Sequence, residues 1–104
     1  MLMIREKKRY LLVKVDGLVL SEGNAKKCVY DSILSFTGEH GASLAAPKMV
    51  LFDESKQELV LKTNLIALEQ VIASLAFKNS FENKPIALRL KKISGTIKGL
   101  EFGK

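Results

Sequence analysis

The hydrophobic period of this chain switches back and forth between two and about 3.6 residues, and the order of the switches constrains its fold more than any single residue does. In KRYLLVKVD, residues 8–16, Leu11, Val13 and Val15 alternate with Tyr10, Leu12, Lys14 and Asp16. That is the pattern of a strand with one buried face. After the polar stretch 21–24, Ala25, Cys28, Val29, Ser32, Ile33 and Phe36 fall within an arc of about 140° at 100° per residue, which predicts a core-facing helix ending near Gly38. GEHGASLAAP, residues 38–47, reads as a connector. KMVLFDESKQELVLKT then sets the apolar runs Met49–Phe52 and Leu59–Leu61 about a polar turn, a hairpin. Asn64 stands where it caps a second helix over 65–77, with Leu65, Leu68, Val71, Ile72, Leu75 and Ala76 as its core face. NSFENKP breaks that helix, and IALRLKKI, residues 86–93, returns to alternation.

The resulting order is strand, helix, strand, strand, helix, strand. It predicts an α+β, ferredoxin-like βαββαβ domain: an antiparallel four-stranded sheet with two helices on one face. A chain of 104 residues, 47% hydrophobic, supplies one core. Residues 1–104 are expected to form one domain, with 1–7 a flexible basic arm. The lone Cys28 has no intramolecular disulfide partner and reads as a small buried hydrophobe. No run approaches the roughly 20 apolar residues of a membrane span, and MLMIREKKRY lacks the order of a signal peptide. A cytoplasmic protein without a membrane partner is expected.

The formal charge of +6 is unevenly placed: residues 1–20 carry +3, residues 84–104 carry +5, and the middle carries −2. In the usual form of this fold the first and last strands are neighbours. Lys14, Arg89 and Lys91 are then expected on the sheet face away from the helices, with Arg9 and Lys92 at its rim and Lys62 extending the patch. Such a field suits a polyanion. Apart from Tyr10 the strands lack the aromatics that stack single-stranded bases, so contact with phosphates is the expected mode.

Catalytic chemistry finds little to build on. His40 stands alone in the predicted loop, Cys28 faces the core, and Asp53, Glu54 and Glu58 crowd a turn where acids are common. No phosphate-loop, paired-cysteine or zinc-protease motif occurs; no catalytic or metal-ligating residue is expected. The helices offer a different surface. Ile66, Ala73 and Phe77 lie off the core stripe of the second helix, and Tyr30 and Leu34 form an i, i+4 pair opposite that of the first. Two such stripes point to a protein partner.

Three stretches in order, REKKRYLLVKV at 5–15, FTGEHGASLAAPKMVLFD at 36–53 and LKKISGTIKGL at 90–100, resemble the archaeal ribonuclease P protein component 2 family. Its most specific marks are Arg9-Tyr10, Gly38-Glu39 with Gly41-Ala42, and Ser94-Gly95-Thr96-Ile97 followed by Lys98, where family members commonly carry arginine. The resemblance implies a ferredoxin-like fold and a subunit of ribonuclease P, which removes the 5′ leader of precursor tRNA. It implies that catalysis belongs to the RNA and its magnesium ions, with no cofactor on this chain. It further implies a larger, barrel-shaped protein partner and self-association of the pair. On that reading Arg9, Lys14, Arg89, Lys91, Lys92, Thr96 and Lys98 meet the ribonuclease P RNA, precursor tRNA is engaged only indirectly, and Tyr30, Leu34, Ile66, Ala73 and Phe77 serve the partner. The competing expectation is a small ferredoxin-like interaction or regulatory domain that binds no RNA.

Overall fold

A computed structural model describes residues 7–102. The expected basic arm lies outside the described residues except for Lys7, whose carbonyl accepts a hydrogen bond from Leu65 N at 2.8 Å. The long strands are β1 (Lys8–Asp16), β2 (Lys48–Asp53), β3 (Glu58–Asn64) and β6 (Ala87–Ser94); β4 (Ser80–Phe81) and β5 (Lys84–Pro85) form a separate small hairpin. The sheet order is β2-β3-β1-β6, antiparallel throughout. This is the ferredoxin-like arrangement, and it makes the first and last long strands neighbours.

The helices are α1 (Glu22–Ala45), α2 (Leu68–Phe77) and α3 (Ile97–Leu100). Ser21 caps α1 by accepting from Asn24 N. Gly38 ends the first helical segment where expected, but not the helix as a whole. It takes φ 76° and ψ 176°, kinks the axis, and helical structure resumes to Ala45, so the predicted connector 38–47 is mostly a second helical segment. The reason lies in GEHGASLAA itself: Glu39, Ala42, Leu44 and Ala45 are good helix formers that outweigh the second glycine, Gly41, and Pro47 is the next true stop.

Alternation delivers the core. Leu11, Val13 and Val15 of β1, Leu59 and Leu61 of β3 and Leu88 of β6 meet Ala25, Cys28, Val29 and Ile33 of α1 and Val71 and Leu75 of α2, all buried. Burial pushes the Cys28 thiol above its ordinary pKa. Two helical expectations fail here. Phe36 and Ala76 are exposed, because small residues carry the α1–α2 seam: the Ser32 hydroxyl donates to the Ser74 carbonyl at 2.7 Å. The Phe36 ring instead lies over that seam and stacks on Phe77 with centroids 5.4 Å apart. Asn64 makes no cap either. Its side chain bridges Lys8 and the Leu44 carbonyl, and the predicted first turn of the second helix, Leu65–Ala67, is 3₁₀.

Candidate nucleic-acid interface

Side chains of even number in β1 and β3 point away from α1 and α2, and cross-strand register converts that parity into rows. Moving along the strands, one row joins Arg89, Lys14, Glu58 and Asp53; the next joins Lys92, Leu12, Val60 and Leu51; the next joins Ser94, Tyr10, Lys62 and Lys48. The outer face is therefore cationic as expected, but it is not bare. The corner Ser94-Gly95-Thr96 starts α3, which returns across the sheet. Leu100 is 1% exposed and packs with Leu12 and Val60, while Tyr10, Val50 and Phe102 border the cluster.

Local hydrogen bonds fold the corner back. Thr96 N donates to Ser94 Oγ at 3.2 Å, and Gly99 N donates to Thr96 Oγ1 at 3.1 Å, so Thr96 is the N-cap of α3. The glycine that matters is Gly99. A Cβ there would lie 2.1 Å from Ser94 Oγ, whereas at Gly95 the nearest atom beyond its chain neighbours, Arg9 Nη1, is 3.9 Å away. The sequence signal for α3 was Thr96 followed by Ile97, Leu100 and Phe102, too short a stretch for periodicity to register.

A bulge on β6 alters the predicted parity. Val13 pairs with Leu90 but Leu12 pairs with Lys92, which leaves Lys91 as the extra residue. Lys92 thereby moves from the rim onto the outer face, while Ile93 takes the position opposite Leu11. Lys91 reaches Glu58 at 2.7 Å, Arg89 reaches Asp16 at 2.9 Å, and Lys92 lies 3.8 Å from Glu101. Lys14 donates to the Lys56 carbonyl, Arg9 donates to the Lys8 carbonyl, and Lys98 is exposed on α3. Of the cations predicted to meet RNA, Arg89, Lys91 and Lys92 thus face a carboxylate of their own chain.

The predicted partner surface is split. Ile66 and Phe77, 81% and 72% exposed, stand on one stripe of the α2 layer with half-buried Ala73 between them. Phe36 joins them, and a cleft of about 180 Å³ lined by Ser32, Ser35, Phe36, Ser74, Phe77 and Lys78 adjoins the stacked rings. Leu34 is exposed elsewhere on α1, but Tyr30 is not: it packs against the main core, with Lys26 Nζ 5.8 Å from its ring centre. His40 is exposed on the second segment of α1. Among the described residues no three His, Cys, Asp or Glu side chains gather to hold a metal ion, and no helix is long and apolar enough to cross a membrane.

Fold and site together define a small ferredoxin-like protein with a cationic sheet face and a separate apolar helix face. Residues 9–102 match the model of the Rpp14/Pop5 family, and the chain belongs to that family. It is 28% identical over 99 residues to ribonuclease P protein component 2 of Pyrococcus furiosus, covering 94% of this chain and 82% of that one. The counterpart of the same name in Methanocaldococcus jannaschii is 31% identical over 96 residues, covering 91% and 70%. A chain in the cryo-EM structure of yeast ribonuclease MRP superposes with a TM-score of 0.72 over 90% of this chain and 78% of its own, at 8% identity, a likeness of fold.

Proposed function

We propose that this chain is a protein subunit of ribonuclease P that binds the catalytic RNA through the outer sheet face and so supports removal of the 5′ leader from precursor tRNA in the cytoplasm. The observation that carries the proposal is the β1–β6 pairing, which merges the two cationic ends of the sequence into one face on a chain of this family. Lys14, Arg89, Lys91, Lys92 and Lys98 supply positive charge there, Arg9 adds to it from the rim beside Gly95, and Thr96 holds the segment bearing Lys98. Contacts of this type position an RNA backbone and favour one of its conformations without reading bases. Hydrolysis is assigned to the RNA with its magnesium ions, and precursor tRNA is engaged through that RNA. The stripe of Ile66, Ala73, Phe77 and Phe36 is assigned to a larger ribonuclease P protein, and the resulting pair to further self-association.

The test is reconstitution of 5′-leader cleavage from catalytic RNA, the partner protein and precursor tRNA, with and without this chain. Addition is expected to raise cleavage at limiting magnesium, and RNA affinity is expected to fall roughly 100-fold between about 50 and 200 mM salt if about five phosphates are engaged. Cleavage indifferent to the chain, together with no RNA protection in footprinting, would overturn the reading in favour of a protein-only interaction domain.

A further inference from the structure

The charge on the outer face is graded along the strands. In the row of Arg89, Lys14, Glu58 and Asp53 two cations meet two anions; in the row of Ser94, Tyr10, Lys62 and Lys48 two cations meet none. Lys48 and Lys62 are direct cross-strand partners at the β2 edge. Directly opposed like charges destabilise a sheet, their Cβ atoms standing only about 5 Å apart. Neither lysine has a carboxylate within ion-pair distance among the described residues. Glu58 lies four residues along β3 from Lys62, about 13 Å at strand rise, beyond the ~8 Å screening length of physiological salt. Glu101 is turned to Lys92.

From this we infer that Lys48 and Lys62 form a binding site for RNA phosphate, a directly opposed pair of cations on this face that needs no internal ion pair to be broken. The inference rests on the RNA-binding reading above and sharpens it. Arg89, Lys91 and Lys92 each exchange a carboxylate for a phosphate when RNA arrives, which returns little. Lys48 and Lys62 exchange mutual repulsion for attraction. The occupant is a phosphodiester rather than an acidic protein because the site continues the cationic sheet face, on the opposite side of the sheet from the apolar stripe assigned to the protein partner.

Two double variants of equal charge change discriminate, K48Q/K62Q and R89Q/K92Q, measured as the full chain against an in vitro transcribed archaeal ribonuclease P RNA across salt. K48Q/K62Q is expected to lower the salt slope by about 1.5 and so to shed roughly seven-fold of the affinity loss seen between about 50 and 200 mM. Its thermal midpoint should equal or exceed that of the parent, since a repulsive pair is removed; R89Q/K92Q should change the slope less, with a midpoint close to the parent because both of its ion pairs are exposed. Parental RNA affinity and slope in K48Q/K62Q, or a larger slope change in R89Q/K92Q, overturns the site while leaving the RNA reading intact. Loss of protein-partner assembly with RNA binding unchanged in K48Q/K62Q also overturns it. Absence of RNA binding by the parent chain itself overturns the reading and the site together.

Discussion

Leu100→Ala tests whether α3 is truly part of the fold. Leu100 is 1% exposed and meets Leu12 and Val60 on a face that the helix layer does not cover. Removing a buried leucine from a closed core costs about 2–5 kcal/mol, the upper values where the cavity cannot collapse. Here the covering element spans only Ile97–Leu100 and can shift to close the gap, so the cost should sit near the lower end, about 2 kcal/mol. For a domain of this size that lowers the thermal midpoint by roughly 8–16 °C. Circular dichroism melts provide the first measurement, and amide exchange at Gly99 and Glu101, whose N–H groups are hydrogen-bonded, the second, since loss of the anchor should expose those N–H groups before global unfolding. Leu75→Ala, in the closed core between α2 and the sheet, should cost more. Val60→Ala combined with Leu100→Ala should fall short of additivity because the two side chains share a contact. A midpoint within a degree of the parent, or exchange at Gly99 and Glu101 already unprotected in the parent, would refute the docking of α3 and return the outer face to a bare sheet.

Gly38→Ala forces a side chain into φ 76°, ψ 176°, a region occupied almost only by glycine, and should cost about 1–3 kcal/mol in urea unfolding; no loss would mean the kink is not required. Gln57→Leu removes the clamp in which Gln57 accepts from Leu20 N at 2.7 Å and donates to the carbonyls of Leu20 at 3.0 Å and Glu54 at 2.7 Å. Groups left unsatisfied cost about 1–3 kcal/mol, and exchange at Leu20 should accelerate; protection as in the parent would contradict this. The Asp53 carboxyl, held below its ordinary pKa by the Ser55 hydroxyl and then by Lys56 N–H, contributes stability in its ionised form. The advantage of the parent over Asp53→Ala should be complete above about pH 4, the value in an unfolded chain, and vanish as pH falls through the lowered folded value. A gap that stays constant down to pH 2 would show that the turn does not sense the charge.

Strand and helix order were readable because most apolar residues obey one period at a time. Leu11, Val13 and Val15 are all buried, as are Val71 and Leu75. Three features escaped the pattern for separate physical reasons. The second segment of α1 hid behind Gly38 and Gly41, because loop composition and helix propensity give opposite answers for glycine beside alanine and leucine. Phe36 sits on the predicted core arc, yet the arc says nothing about neighbours, and a close seam at Ser32 and Ser74 moves the ring outside. The bulge at Lys91 is a property of pairing between strands, which no single strand sequence displays. The cationic face itself was legible, since charge at the chain ends plus a known strand order fixes it. The internal carboxylates opposing that charge were not, because Asp16 and Glu58 acquire their partners only through register.

That register also separates two cations that look alike in LRLKK. Arg89 pairs with Asp16 where both side chains are well exposed, 67% and 40%, an arrangement worth about 0–1 kcal/mol. Lys91 is 45% exposed but its partner Glu58 is only 10% exposed. A carboxylate at that depth stripped of its cation approaches the cost of a broken buried pair, about 3–5 kcal/mol, reduced by the exposure of the lysine. Arg89→Glu should therefore weaken RNA binding with a midpoint close to the parent, whereas Lys91→Glu should unfold the chain at distinctly lower temperature whether or not RNA is touched. Lys91→Gln combined with Glu58→Gln separates the roles: with both charges gone the midpoint should recover, and any remaining loss of RNA affinity belongs to Lys91 as a contact. If Lys91→Glu melts with the parent, Glu58 is not dependent on it, and the bulge that presents Lys91 has no structural purpose on this face. If the double variant recovers both stability and affinity, Lys91 serves the fold alone, and phosphate contact on β6 rests with Arg89 and Lys92.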